Sequence, residues 1–358
     1  MSRTRVKIAL DATPLAEPSG GIARYTAELA RALAAEFPED EYVLVSDQPG
    51  LGVARPPSNA VARRWWLFGL PWELRRLGAG LFHGTDFTVP YLRTLPSVLT
   101  LHDCSPWLEG ELRQTAAERI RRRTRWALRA ATLILTPSEA VRGEAIERFH
   151  LSPARVLAVP LAASEVFRRV AESEAAPVLG RLGINKPYLL FAGTRDRRKN
   201  LGRLVEAWQA ARRVRPGLGL VLAGRAVPDC DPLPAEDGLV VTGRLEDPEI
   251  AALMSGAELF VYPSLYEGFG LPVLEAMQAG APVVISEDAA LRETAGGAAA
   301  VADARSTAAL ARAIVEWTGD PLRRRELRER GSERAAQFSW RRTARLTRQV
   351  YVEALRRF

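Results

Sequence analysis

Lysine is almost missing from this chain: Lys7, Lys186 and Lys199 stand among 50 lysines and arginines. Where arginine is used nearly everywhere, a lysine set inside an arginine cluster, as Lys199 is, invites a chemical reason. Cysteine is scarcer still. Only Cys104 and Cys230 occur, neither in a metal-type spacing, which argues against a disulfide framework and makes a reducing cytoplasm the expected compartment. No apolar run reaches the roughly 18 residues that would cross a bilayer. The start of the chain passes straight into strand-like Val6–Leu10, with no signal-peptide core. Excess charge is also missing over most of the length. Pro321–Phe358 holds twelve Arg and four Glu, which accounts for the whole net charge of +8. A basic tail of this kind suits nucleic acid or an anionic membrane surface. Leu346, Val350 and Leu355 recur in it at helical spacing, however, which favours a docked amphipathic helix. No zinc, RNA-binding or helix-turn-helix signature accompanies it, so no nucleic-acid partner is expected.

What is present is regular alternation. A chain of 358 residues exceeds one ordinary core, and 47% apolar content is that of a globular protein. Strand-like runs at Val6–Leu10, Tyr42–Ser46, Ser97–Leu101, Tyr188–Ala192, Leu218–Ala223 and Leu259–Tyr262 alternate with helical patterns such as Ile22–Glu36, Glu139–Phe149 and Pro248–Ala257. This pattern predicts an α/β fold of two doubly wound domains with parallel sheets. Pattern fades and charge rises over Ala162–Ala176, where a linker is expected. The domains are therefore placed at residues 1–170 and 178–340, with a closing helix over 341–358.

The chemistry concentrates in Tyr262–Val284, YPSLYEGFGLPVLEAMQAGAPVV. Gly268 and Gly270 flank Phe269 and let a ligand approach the main chain. Pro272 suits the first position of a helix, whose free N–H groups and dipole make an anion site. Glu267 and Glu275 bracket that site. Since the Gly/Pro segment breaks any continuous helix, they reach two parts of one ligand, a reacting group and a ribose, or else they are solvated glutamates beside a simple turn.

A second cluster is GTRDRRKNL (Gly193–Leu201), cations placed directly after a strand and before a helix. Lys199 supplies a point charge and an arginine a bidentate fork, a pairing that suits a diphosphate. Gly20 and Gly21 follow the first strand, beyond Pro14 and Pro18, and open the Ile22 helix as a weaker anion cradle. His102-Asp103 stands at the carboxyl end of the Ser97–Leu101 strand, the side on which open sheets bind ligands. There the imidazole meets a sugar hydroxyl, or it merely caps the strand beside a turn-forming Asp. Asp229-Cys230-Asp231 has the form of a metal-binding Asp-x-Asp, but Pro228, Pro232 and Pro234 mark a surface turn, and no metal is expected. Ala62–Gly78 carries Trp65, Trp66, Phe68 and Trp72 among Arg63, Arg64, Arg75 and Arg76, interrupted by Gly69 and Pro71. It reads equally as a lipid-facing segment or as a helix packing its aromatics on the sheet.

The spacing Glu267-x7-Glu275 within EGFGLPVLEAMQAG resembles the retaining glycosyltransferases of family 4, which have the GT-B fold: two Rossmann-like domains with an interdomain cleft. PSGGIARYTAELARAL, VLTLHDCSP and GTRDRRKN resemble further segments of that family, so the likeness covers nearly the whole chain. It implies a hexose moved from a nucleotide diphosphate sugar to a hydroxyl acceptor, without a metal. Glu267, His102, Lys199 and Arg198 would be catalytic. Gly20, Gly21, Thr194, Arg198, Lys199, Glu267, Gly268, Phe269, Gly270, Leu271 and Glu275 would bind the donor, with Glu275 on the ribose. The family's frequent Arg after the loop glycine is Thr194 here, so its role passes to Arg198 or Arg195, and Arg198 adjoins Lys199 in the motif. The style of the motifs implies a mannosyltransferase-like member of surface-polysaccharide or glycolipid synthesis, with GDP-mannose as first donor. A cytoplasmic protein, peripheral at the inner membrane face and acting on a saccharide or lipid-linked acceptor, is expected. An epimerase or hydrolase of nucleotide sugars on the same fold is the nearest alternative. A non-enzymatic polyanion or membrane-surface binder is a more distant one, since it leaves Glu267, Lys199 and His102 without a role.

Overall fold

The computed structural model describes residues 6–16, 20–48, 51, 64–112, 117–227 and 230–358. Pro18, Ala62, Arg63, Pro228 and Asp229, named above, lie outside the described residues. The chain forms two compact units, one of residues 1–161 with 339–358 and one of residues 162–338.

In the first unit, strands β1 (Lys7–Asp11), β2 (Glu41–Val45), β3 (Leu81–Gly84), β4 (Ser97–Thr100), β5 (Leu133–Thr136) and β6 (Val156–Ala158) form one sheet in the order β2-β1-β3-β4-β5-β6. Every pairing in it is parallel. The described helices between the strands are α1 (Gly21–Glu36), α2 (Leu70–Leu77), α3 (Ala117–Ala130) and α4 (Glu139–Phe149). β3, β4 and β5 are buried at every residue, as expected of strands covered on both faces.

The second unit runs α5 (Glu172–Arg181), β7 (Tyr188–Ala192), α6 (Leu201–Arg212), β8 (Gly219–Ala223), β9 (Leu239–Gly243), α7 (Asp247–Gly256), β10 (Leu259–Tyr262), α8 (Leu271–Gln278), β11 (Val283–Ile285), α9 (Ala289–Ala295), β12 (Ala300–Val301), α10 (Thr307–Gly319) and α11 (Pro321–Ala335). Its parallel sheet has the order β12-β11-β10-β7-β8-β9. Chain direction therefore switches between β7 and β10, and the loops after these two strands flank the crevice where such sheets take ligands. In the first unit the same reversal falls between β1 and β3.

The last helix, α12 (Trp340–Arg357), belongs to the first unit. Ser339 caps it by accepting from the Arg342 N–H at 3.2 Å. Val350, Tyr351 and Ala354 are buried, while Arg341 and Arg345 pair with Glu36 at 2.8 Å and Arg348 pairs with Asp40. Much of this helix's charge is thus spent on docking.

Three local expectations change. Pro272, expected first in its helix, stands second, and Glu275 opens the second turn. The reason is Gly270: at φ 88° it makes the left-handed turn into α8, where an added Cβ would strike Leu291. Gly69 and Pro71 do not break the tryptophan-rich segment either. A π-turn over Trp65–Gly69 runs directly into α2, and Pro71 sits at its start, where a missing N–H costs little. Last, residues 162–171 have no regular structure but are anchored: Phe167 is buried and the Val170 N–H donates to Ser255 Oγ at 2.9 Å.

Candidate active site

In the second unit the candidate residues stand on the loops after β7 and β10. Gly193 (φ 152°) ends β7, and Gly224 ends the neighbouring strand so close to it that an added Cβ would overlap the Gly193 carbonyl. The chain then makes a 3₁₀ turn over Arg197–Lys199 and reverses at Asn200, φ 57°. Asn200 holds this turn by donating from Nδ2 to the carbonyls of Pro263 (3.3 Å) and Ala304 (2.7 Å). Because the turn is fixed from both sides, Lys199 is directed inward and is 7% exposed.

Its ammonium forms an ion pair with Glu267 and donates to the Tyr262 hydroxyl at 2.8 Å, so the structure brings together two of the residues singled out by sequence. Burial works against charge on Glu267, but Lys199 and Arg198 outweigh it and hold the carboxyl below its usual range. Burial and the adjacent Glu267 push the Tyr262 phenol well up, so it stays protonated. The Tyr262 ring stacks on Phe191 at 5.4 Å and on Phe260 at 5.8 Å, which prevents the hydroxyl from swinging away. Arg198 is the arginine whose charge acts on both Glu267 and Tyr262. Its guanidinium meets Asp196 at 3.3 Å, and its carbonyl accepts from Leu265 N at 2.7 Å. Arg195 is turned otherwise, donating from Nε to the Gly224 carbonyl at 3.2 Å. Thr194 lies in the same loop, directly after Gly193.

The Gly268–Leu271 segment is held from behind. Thr294 Oγ1 donates to the Phe269 carbonyl at 2.6 Å, and the Phe269 ring packs edge-on against Phe338 at 5.9 Å. Glu275 is buried in α8, with 3% of its surface exposed. Asp288 caps α9 by accepting from Leu291 N at 3.0 Å and also accepts from Glu267 N at 3.3 Å. Burial raises its carboxyl to about 6. Sequence reasoning passed over Tyr262, Asp288 and Thr294. Tyr262 ends β10 and Asp288 follows β11 by three residues, so the rule that sheet ligands bind at strand carboxyl ends would have flagged both.

In the first unit Gly20 (φ 146°) precedes α1, Gly21 begins it, and the Gly20 carbonyl accepts from Arg24 N at 3.1 Å. His102 follows β4 by two residues. Its Nε2–H donates to the Thr85 carbonyl at 2.7 Å, which leaves Nδ1 as the acceptor nitrogen of the neutral ring. Burial lowers its pKa, so the ring is neutral at pH 7. Tyr25 stands edge-on to it at 4.9 Å and Phe87 at 5.9 Å. Asp103 makes the turn considered in the sequence, accepting from Ser105 N at 2.9 Å. Asp11, at the end of β1, is a buried carboxylate the sequence did not suggest. Oδ1 accepts from Thr13 N at 3.0 Å, Oδ2 has no hydrogen-bond partner among the described residues, and burial pushes the group up to about 7. Asp231, from the rejected Asp-x-Asp, pairs with Arg197 at 3.4 Å.

In the tryptophan-rich segment Trp65 is buried, whereas Phe68 and Trp72 are 49% and 60% exposed. Arg123 lies over the Trp66 ring at 5.3 Å. The packing reading holds for Trp65, while Phe68 and Trp72 stand in solvent. Among the described residues no helix is long and apolar enough to cross a membrane.

Residues 180–337 match the family described as Glycosyl transferases group 1, and residues 19–163 match Glycosyltransferase Family 4. Over 279 residues the chain is 34% identical to O-antigen chain mannosyltransferase B of Escherichia coli, an alignment covering 75% of this chain and 73% of that protein. It is 31% identical over 235 residues to the MMP alpha-(1->4)-mannosyltransferase of Mycolicibacterium hassiacum, covering 63% of this chain and 54% of that one. Sucrose-phosphate synthase from Thermosynechococcus elongatus shares its fold with a TM-score of 0.73 at 23% identity, over 98% of this chain and 99% of the other. Anabaena HepE, solved in complex with UDP and glucose, does so with a TM-score of 0.71 at 16% identity, over 97% and 100%. With family matches over both units and a mannosyltransferase relative of that identity and coverage, the chain belongs to the family 4, group 1 glycosyltransferases of the GT-B fold.

Proposed function

We propose that this glycosyltransferase moves a mannosyl group, with retention of configuration, from GDP-mannose to a hydroxyl of a growing surface polysaccharide or glycolipid. The observation that carries the donor side is the Lys199–Glu267–Tyr262 cluster at the sheet's switch point, with Arg198 beside it. An ammonium has three N–H donors. Two are used by Tyr262 and Glu267, and the third is available to a diphosphate oxygen. Together with Arg198 and the start of α8, Lys199 stabilises the negative charge that develops on the leaving diphosphate. With cations and a helix start in that role, no metal is required. Glu267 and the N–H groups of Gly268, Phe269, Gly270 and Leu271 receive the transferred sugar, Thr194 lines the phosphate loop, and Glu275 accepts from the ribose hydroxyls. In the first unit, Gly20 and Gly21 are assigned to donor phosphate binding, and His102 Nδ1 accepts from a sugar hydroxyl. In the step itself the acceptor oxygen bonds to the anomeric carbon, the bond to the diphosphate oxygen breaks, and the acceptor's proton passes to that oxygen. Names of relatives support mannose, since the Escherichia coli and Mycolicibacterium proteins are both called mannosyltransferases. Phe68 and Trp72, exposed beside exposed Arg64 and Arg75, support a peripheral contact with anionic lipid on the cytoplasmic face.

Thermal unfolding with a panel of nucleoside diphosphates and their sugars, with and without EDTA, tests the donor site. A ligand at 100 times its Kd adds about 2.7 kcal/mol. A shift for GDP and GDP-mannose that survives EDTA is the expected result. A shift for another base alone replaces the donor, and no shift for any nucleotide refutes the reading of Lys199 and Glu275.

A further inference from the structure

A continuous line of hydrogen bonds runs through the interior of the first unit from its last helix to the residues around His102. It starts at Tyr351 of α12, whose hydroxyl meets His83 Nδ1 at 2.6 Å. The other nitrogen of that ring, Nε2, meets Thr100 Oγ1 at 2.7 Å, and Thr100 Oγ1 meets the Tyr25 hydroxyl at 2.8 Å. All four side chains are at most 2% exposed. Burial lowers His83 to about 3, so the ring is neutral and joins one hydroxyl through a donor and the other through an acceptor.

The line ends against His102 by two routes. Tyr25, whose hydroxyl is tied to Thr100, presents its ring to the imidazole at 4.9 Å and an interplanar angle of 83°. Thr100 precedes His102 by two positions on the same strand end, and its carbonyl accepts from the N–H of Phe87 at 3.3 Å. Phe87, at φ 50°, supplies the second ring beside His102, at 5.9 Å. Thr100 is thus tied to both aromatic walls of the imidazole, to Tyr25 through its hydroxyl and to Phe87 through its carbonyl.

We propose that Tyr351, His83, Thr100 and Tyr25 are positioning residues for His102. In this arrangement α12 acts through them to keep the imidazole in one orientation and one tautomer, Nε2–H on Thr85 and Nδ1 open to the sugar. A linked set of buried polar groups suits this work, because each bond constrains the next and an unmade bond in the interior is costly. The last helix then does more than close the fold: it contributes, through a hydroxyl, to the geometry of a residue far away in sequence. The inference rests on the role given to His102 above, and its test separates the two.

The chain has only three histidines, so selective ¹⁵N labelling resolves His102 directly. Wild type, Tyr351→Phe, Thr100→Val, Thr100→Ser and His102→Ala are compared by ring-nitrogen shifts, by the rate of GDP release from GDP-mannose, and by GDP affinity. The wild-type spectrum is expected to show a single Nε2–H tautomer for His102. Tyr351→Phe and Thr100→Val are expected to mix the tautomers and slow release on the order of tenfold, with GDP affinity unchanged. Thr100→Ser, which keeps the hydroxyl, is expected to restore both. If Tyr351→Phe does not fold, the Thr100 pair decides. Variants that melt earlier yet keep the wild-type His102 spectrum and rate would overturn the inference and leave a purely structural network. A wild-type rate in His102→Ala would instead refute the catalytic role of His102. Should wild type release no GDP, the donor assignment fails and the nitrogen shifts alone decide the positioning.

Discussion

Two carboxylates near strand ends beside their sheets' switch points, Asp11 buried and Glu267 largely so, meet opposite fates. Glu267, after β10, lies against Lys199 and Arg198 and is held below the ordinary carboxylate range. Asp11, ending β1, is buried with one oxygen lacking a hydrogen-bond partner among the described residues, near Asp86, and rises to about 7. Burial is the largest influence on both, and what differs is the company. The second unit sets opposite charges in contact, whereas around His102 in the first unit stand the uncharged His83, Thr100 and Tyr25.

The largest way to break this contrast is to remove the cation. Lys199→Ala is expected to lower turnover by about 10²-fold or more, the scale of losing a group that stabilises developing charge. In the same variant the pH profile should show Glu267 titrating higher, since burial then acts with less opposition. A folded variant with wild-type turnover would end the role given to Lys199.

Glu275→Ala sharpens the comparison within the second unit, because Glu275 is buried without being part of the Lys199 ion pair. Nucleotide affinity is expected to fall about tenfold, the scale of a lost hydrogen bond to a charged group, and calorimetric titration with GDP measures it. Unchanged affinity would remove Glu275 from the ribose.

The smallest effect concerns stability and pH. Burial places the folded-state pKa of Asp11 near 7, above the ordinary aspartate value of 3.8, so the native state binds a proton more tightly than the unfolded chain. Its contribution is complete below pH 4 and is lost as pH rises through about 7. Asp11→Asn should therefore melt on the order of 5 °C higher than wild type at pH 8, with much less difference at pH 4. Equal differences at both pH values would mean that Asp11 is ionised and solvated in the fold.

Much of the architecture was legible in advance because parallel strands buried on both faces read as short apolar runs. Tyr188–Ala192, Leu259–Tyr262 and the helix Glu139–Phe149 begin and end where the sequence places them. Lys199 and Glu267 were legible for a related reason: each lies in a contiguous loop whose glycines, prolines and charges stand together. Tyr262 was not, since a tyrosine closing an apolar strand looks like core until the Lys199 turn is folded onto it. His83 is harder still. Its partners are 17 and 268 positions away, and only the docking of α12 on the sheet brings them within reach.

The alternation of strands and helices, the parallel sheets that follow from it, and the motif carrying the charged cluster of the second unit were all written along the chain. Those properties depend on neighbours along the chain, through propensity, periodicity and turn chemistry. Tertiary structure decided which buried groups keep a charge, which arginine acts on Glu267, where the basic tail spends its arginines, and what holds His102. Each of these depends on dielectric and distance between residues remote in sequence, and neither quantity exists until the chain has folded.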